Sequence, residues 1–101
     1  MEIKDIVERI SYIRTRANLS ARALSLAIGR NASYIHLLES PNTTFEPSIS
    51  VLLEIIDVCG STPEEFFYDD IYQYNKDKQA LNFFKTLSTY QKDAIMNLYK
   101  K

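Results

Sequence analysis

The side chains best equipped for chemistry in this chain are arginines. Arg9, Arg14, Arg16, Arg22 and Arg30 fall in a stretch, Arg9 to Leu38, that holds no acidic residue. The following stretch, Glu39 to Asn75, reverses this, with eight carboxylates and no basic residue. The tail from Lys76 turns basic again, with six lysines against Asp77 and Asp93. A net charge of −1 conceals this segregation. A solvated surface mixes its signs, whereas a block of guanidinium groups is the electrostatic footprint of a face that meets phosphate.

Other chemistries find less support. His36 is the only histidine and has no cysteine or carboxylate at metal-ligand spacing, so it reads as a groove- or solvent-facing residue. Cys59, the only cysteine, sits among apolar residues and reads as a small core residue in a reducing compartment. Glu64 and Glu65 are explained by helix capping and the helix dipole. Gly29 and Gly60 are the only glycines, which rules out a glycine-rich phosphate loop. The chain is therefore not expected to be an enzyme, and no cofactor, metal or small-molecule ligand is expected. Tyr68, Tyr72 and Tyr74 cluster in the acidic segment, where packing or an interface is the expected role. Tyr34 stands apart from them.

These residues need elements to hold them. Apolar residues at Ile3, Ile6, Val7, Ile10, Ile13 and Ala17 have the spacing of one buried helical face. A second helix is predicted from Ser20, its N-cap, through Leu24 and Ile28 to Gly29, which supplies the left-handed residue that ends it. A third starts at Asn31, Ala32 or Ser33, with Asn31 the preferred cap, and packs through Ile35 and Leu38. Residues 41–47 read as a loop. Ser48 caps a fourth helix with Leu52, Ile55, Ile56 and Cys59 inward. Thr62-Pro63-Glu64-Glu65 predicts a fifth, with Glu65 closing a capping box and Phe66 and Phe67 pinned against the core. Residues 68–75 read as a polar connector. Two further helices are expected over about 77–87 and 89–99, the last with Ser88 as cap and Gln91 closing a capping box. The expectation is all-α.

Two short helices joined by a tight turn, with glycine at the turn, form a helix-turn-helix. Ser25 must be small where the helices cross, and Ile35 and Leu38 must face the core. That leaves Asn31, Ala32, Ser33, Tyr34, His36 and Leu37 at the start and outer side of the second helix.

The stretch Leu19-Ser20, Leu24-Ser25, Ile28-Gly29, Ser33-Tyr34-Ile35 and Leu38-Glu39, followed by Pro47-Ser48-Ile49 and Gly60 with Thr62 to Phe66, resembles the lambda-repressor-like (Cro/XRE-type) DNA-binding domain. The resemblance spans roughly residues 3–67. It implies a five-helix DNA-binding domain over residues 1–67, with one or two extra C-terminal helices in a connector and extension over 68–101. It further implies a bacterial, phage or mobile-element transcriptional regulator that binds a near-palindromic operator in double-stranded DNA as a dimer. Asn31, Ala32, Ser33, Tyr34 and His36 are then the candidates to meet bases. Arg14, Arg16, Ser20, Arg22 and Arg30 are the candidates to meet phosphates, which set position and salt sensitivity. The chain departs from the family pattern at Ala21, where glutamine is common, at Arg30 and at Pro41. It also has no arginine, lysine or glutamine in the reading helix after Arg30. That absence is the best support for an alternative, a protein-interaction module such as an antitoxin-like or adaptor protein.

The C-terminal helices carry more apolar surface than a domain this small hides, with Leu81, Phe84, Leu87, Ile95, Leu98 and Tyr99 the candidates for a homodimer contact. Folding back onto the first helix is the alternative. No apolar run approaches the roughly 20 residues that span a bilayer, and the N-terminus lacks a basic head before an apolar stretch. A cytoplasmic protein without membrane contact is the expectation.

Overall fold

A computed structural model describes residues 1–100. Its elements are helices alone: α1 (Ile3–Arg16), α2 (Ala21–Ala27), α3 (Tyr34–Leu38), α4 (Ile49–Val58), α5 (Pro63–Phe66), α6 (Tyr74–Lys85) and α7 (Thr89–Tyr99). No described helix is long and apolar enough to cross a membrane. The chain divides into two compact units, one ending at Tyr68 and the other beginning at Asp69.

In the first unit one stop device is used three times. After α2, the Gly29 N–H donates to the Leu26 carbonyl and the Arg30 N–H to the Ser25 carbonyl, with Gly29 at φ +73°. After α4, Gly60 at φ +72° does the same through Asp57 and Ile56. Such a paired closure satisfies carbonyls that the helix end would otherwise leave open. After α1 the left-handed position is taken by Asn18, at φ +59°, with N–H groups of Asn18 and Leu19 reaching Thr15 and Arg14. Asparagine tolerates that conformation better than other residues with a β-carbon.

Helix starts follow the cap residues. The side chains of Ser20, Ser48 and Thr62 accept from the backbone N–H groups of Ala23, Val51 and Glu65. The start of α3 differs from a simple cap. The Asn31 side-chain oxygen accepts from both the N–H of Ser33 (3.0 Å) and its hydroxyl (2.8 Å), and regular helix begins only at Tyr34. Asn31 thus holds the turn that leads into the helix.

The core forms where the inward stripes meet. Ile10, Ile13, Leu24, Ile35, Leu38, Ile55 and Phe66 are fully buried. Of the aromatic pair only Phe66 is pinned. Phe67 packs edge-on against it at 5.1 Å but is 49% exposed. Ser25 is buried where α2 meets α3, and it contributes more than small size. Its hydroxyl donates to the Ala21 carbonyl (2.7 Å) and accepts from the Ile35 N–H (2.9 Å). One of the orphan donors at the start of α3 is thereby satisfied from inside α2.

The second unit opens with a 3₁₀ turn over Ile71–Gln73, capped by Asp70, and α6 follows directly. The polar connector expected over 68–75 is therefore partly helical, and Ile71 and Tyr74 in it are buried. The i, i+3 pair of apolar faces explains this better than the flanking polar residues do. In α7 the expected capping box is present, with Gln91 N–H donating to the Ser88 hydroxyl and Ser88 N–H to the Gln91 side chain. Phe84, Leu87 and Ile95 are half-buried, whereas Leu81, Leu98 and Tyr99 are exposed, with Tyr99 83% open.

The Ser25 hydroxyl gives a direct stability test. Ser25→Ala keeps the small volume but strands the Ile35 N–H in the core, so urea denaturation should show a loss of about 1–3 kcal/mol. A loss under about 0.5 kcal/mol, the size of a neutral surface change, would contradict the assigned bond.

Candidate nucleic-acid interface

The inward commitment of Ile35 and Leu38 decides what α3 shows to the outside. Ser33, His36 and Leu37 are exposed on its far side, Asn31 is exposed in the turn before it, and Ala32 is half-buried. Tyr34 is half-buried at the flank. Its ring packs against Phe45 at 5.7 Å, and the Arg30 guanidinium lies over it at 5.4 Å. The base-contact candidates thus share one surface, though not equally. Asn31 already uses its amide oxygen at the start of α3, and Tyr34 uses its ring as packing.

The five arginines divide into two groups. Arg22 on α2 and Arg30 in the turn are exposed and form no ion pair among the described residues. Ser20 is also exposed, and its hydroxyl oxygen accepts from the Ala23 N–H. The other three are engaged internally. Arg9 donates to the Phe66 carbonyl (2.6 Å) and to the Tyr68 carbonyl, which ties α1 to the end of α5. Arg14 forks onto Glu39, with Nε and Nη2 each 2.8 Å from a carboxylate oxygen, and its Nη1 reaches the Leu19 carbonyl at 2.9 Å. Arg16 forks onto Glu65 at 2.6 and 2.7 Å and lies over the Tyr12 ring at 5.3 Å.

This corrects the phosphate-contact expectation for Arg14 and Arg16. Their donors point at carboxylates, and each charge is locally neutralised. A count along the sequence finds no acid between Arg9 and Leu38. Folding nevertheless brings Glu39 from 25 residues away and Glu65 from 49 residues away. The same contact corrects the expected capping box. The Thr62 hydroxyl does cap Glu65, but the Glu65 carboxylate turns to Arg16 and to the Ser61 hydroxyl (2.5 Å). A full-strength guanidinium fork outcompetes a single bond to a backbone N–H.

The electrostatics follow the geometry. The Arg16 fork holds the Glu65 carboxyl below its ordinary value of 4.5, against the opposing push of burial, with help from Ser61. Both guanidinium groups are pushed up by their carboxylate partners, so neither can lose its charge. Burial raises the Cys59 thiol to about 11, which leaves it protonated and inert at neutral pH. Among the described residues no group of three or more histidine, cysteine or acidic side chains is placed to hold a metal. Set against protein-family models, curated proteins and solved structures, the chain matches none.

The depressed Glu65 carboxyl makes a pH prediction with a definite sign. A carboxyl whose folded value lies below its unfolded one adds stability that is fully present above the unfolded value near 4.5 and is lost as pH falls from there through the lower folded value. Acid unfolding should therefore steepen below about pH 4.5 in the native chain and less so in Glu65→Gln. Carbonyl NMR of Glu65 should place its midpoint below 4.5, and Arg16→Ala should move it upward, because burial remains when the fork is gone. An unmoved midpoint in that variant would refute the pairing.

Proposed function

We propose that this protein is a sequence-specific, double-stranded DNA-binding transcriptional regulator, most simply a repressor. In this reading the first unit is a lambda-repressor-like (Cro/XRE-type) helix-turn-helix domain, cytoplasmic and of bacterial, phage or mobile-element origin. The observation that carries the reading is the α2–α3 pair. Its inner face is locked by Leu24, Ser25, Ile35 and Leu38, and its outer face is open, with unneutralised Arg22 and Arg30 in the same segment. Positive charge beside an exposed reading helix is the arrangement that positions a protein on phosphates while the helix meets base edges.

The second unit supports a homodimer. Leu81, Leu98 and Tyr99 are exposed, and Phe84, Leu87 and Ile95 are only half-buried. Apolar surface of that extent favours a partner, and a two-fold axis would let one copy cover the other. Half-sites would then lie about one helical turn apart, roughly 10 base pairs.

A second reading has an observation of its own. With Arg9, Arg14 and Arg16 engaged internally, the cationic face is thinner than the sequence suggests. That favours a protein-interaction module, antitoxin-like or adaptor-like, on the same fold. A stoichiometric protein partner together with no shift of any duplex would select it.

Selection from a pool of randomised duplexes, followed by gel shifts, tests the regulator reading. The expected result is an enriched, near-palindromic motif. Two free arginines per copy, four per dimer, predict a slope of log affinity against log salt near about −4; adding Arg14 and Arg16 would bring it to about −7. Arg22→Ala and Arg30→Ala should weaken binding to all sequences alike. No motif and no salt dependence would defeat the reading. Light scattering after size exclusion should give twice the chain mass at about 50 µM, far above the dissociation constant of a working dimer; a monomer there would defeat the dimer.

A further inference from the structure

From the turn through α3, this chain offers few side chains for hydrogen-bonded base reading. Two hydrogen bonds to guanine need an arginine or lysine, two to adenine an asparagine or glutamine, and cytosine an acidic side chain. Between Gly29 and Leu38 there is no lysine, glutamine or carboxylate. The one arginine, Arg30, has its guanidinium over the Tyr34 ring. The one asparagine, Asn31, has its amide oxygen filled by two donors from Ser33. Ser33 has given its hydroxyl hydrogen to Asn31, and His36 offers single bonds that do not discriminate well.

What the outer face does offer is apolar. Leu37 is 53% exposed and shares that face with Ser33, one turn back. Ile35 and Leu38 fill the inward side, so Leu37 is not part of the fully buried core. The base edges of the major groove present one apolar group, the 5-methyl of thymine. The segment around Leu37 is free of acidic residues back to Arg9, and Arg22 and Arg30 remain unneutralised, so the charge of this stretch is complementary to a polyanion. Resting on the DNA-binding reading, we propose that Leu37 is a specificity-determining residue that reads thymine by packing on its 5-methyl group, and that the half-site is accordingly selected for thymine at that position.

The test replaces thymine by deoxyuridine, which removes that methyl and keeps every hydrogen bond. The duplex recovered by selection is resynthesised with uridine in place of each thymine in turn and titrated by fluorescence anisotropy. The native protein should lose about fourfold in affinity per contacted methyl. Leu37→Ala, checked by thermal melting, should bind the thymine duplex more weakly and show no further loss on uridine, as a double-mutant cycle requires. An equal uridine penalty in both proteins, or none in either, would overturn the thymine reading while leaving DNA binding intact. Failure of the native protein to retain any duplex would overturn both.

Discussion

The Arg14 guanidinium reaches two separate pieces of chain at once. Two of its nitrogens fork onto Glu39 at the end of α3, and the third holds the Leu19 carbonyl in the loop before α2. A single planar group thereby fixes where α2 begins and where α3 ends, both relative to α1. The site is partly buried, with 18% of the arginine and 15% of the glutamate side chain exposed. Such a pair costs desolvation to form, so its net stabilisation is modest, but removing one partner leaves an uncompensated charge. Its value lies in geometry. Helices of seven and five residues do not persist alone, and their mutual angle has to be imposed from outside.

Arg16 and Arg9 extend the same principle along α1. One reaches the side chain of Glu65 and the other the carbonyl end of α5, so α1 carries the clamps that hold the end of α3 and the whole of the short α5. Cations placed at a helix C-terminus also meet the negative end of its dipole. Ser25 does on a neutral scale what the arginines do with charge, joining α2 to the first turn of α3 through one buried hydroxyl.

Local signals in the sequence carried most of the fold. The caps at Ser20, Ser48, Thr62 and Ser88, the stops at Gly29 and Gly60, and the inward stripes through Ile10, Leu24, Ile35 and Ile55 are all written within a few residues of where they act. What escaped was of two kinds. Some of it was local but weakly coded, such as Asn18 in the left-handed region, or Ile71 and Tyr74 turning a polar stretch helical. The rest was long-range. Nothing adjacent to Arg14 or Arg16 announces Glu39 or Glu65, and nothing adjacent to Glu65 says that an arginine will claim it from its own helix cap. The arginine block was legible as charge and illegible as partnership. For the candidate surface this matters most, since it reduces the unpaired arginines of that block to Arg22 and Arg30.

The outer face of α3 has one more implication. Ser33, His36 and Leu37 touch solvent, while the bonds that hold α3 in place run through Asn31, Ser25, Glu39 and the inward aliphatic residues. His36 and Leu37 take no part in those bonds, so the exposed side of the helix and its anchorage are largely separate residues. Substitutions at His36 and Leu37 can drift without unfolding the domain, because surface changes of that sort alter stability by only about 0.5 kcal/mol. A lineage carrying this scaffold can therefore change the chemistry of that outer surface by altering very few codons while the fold is kept.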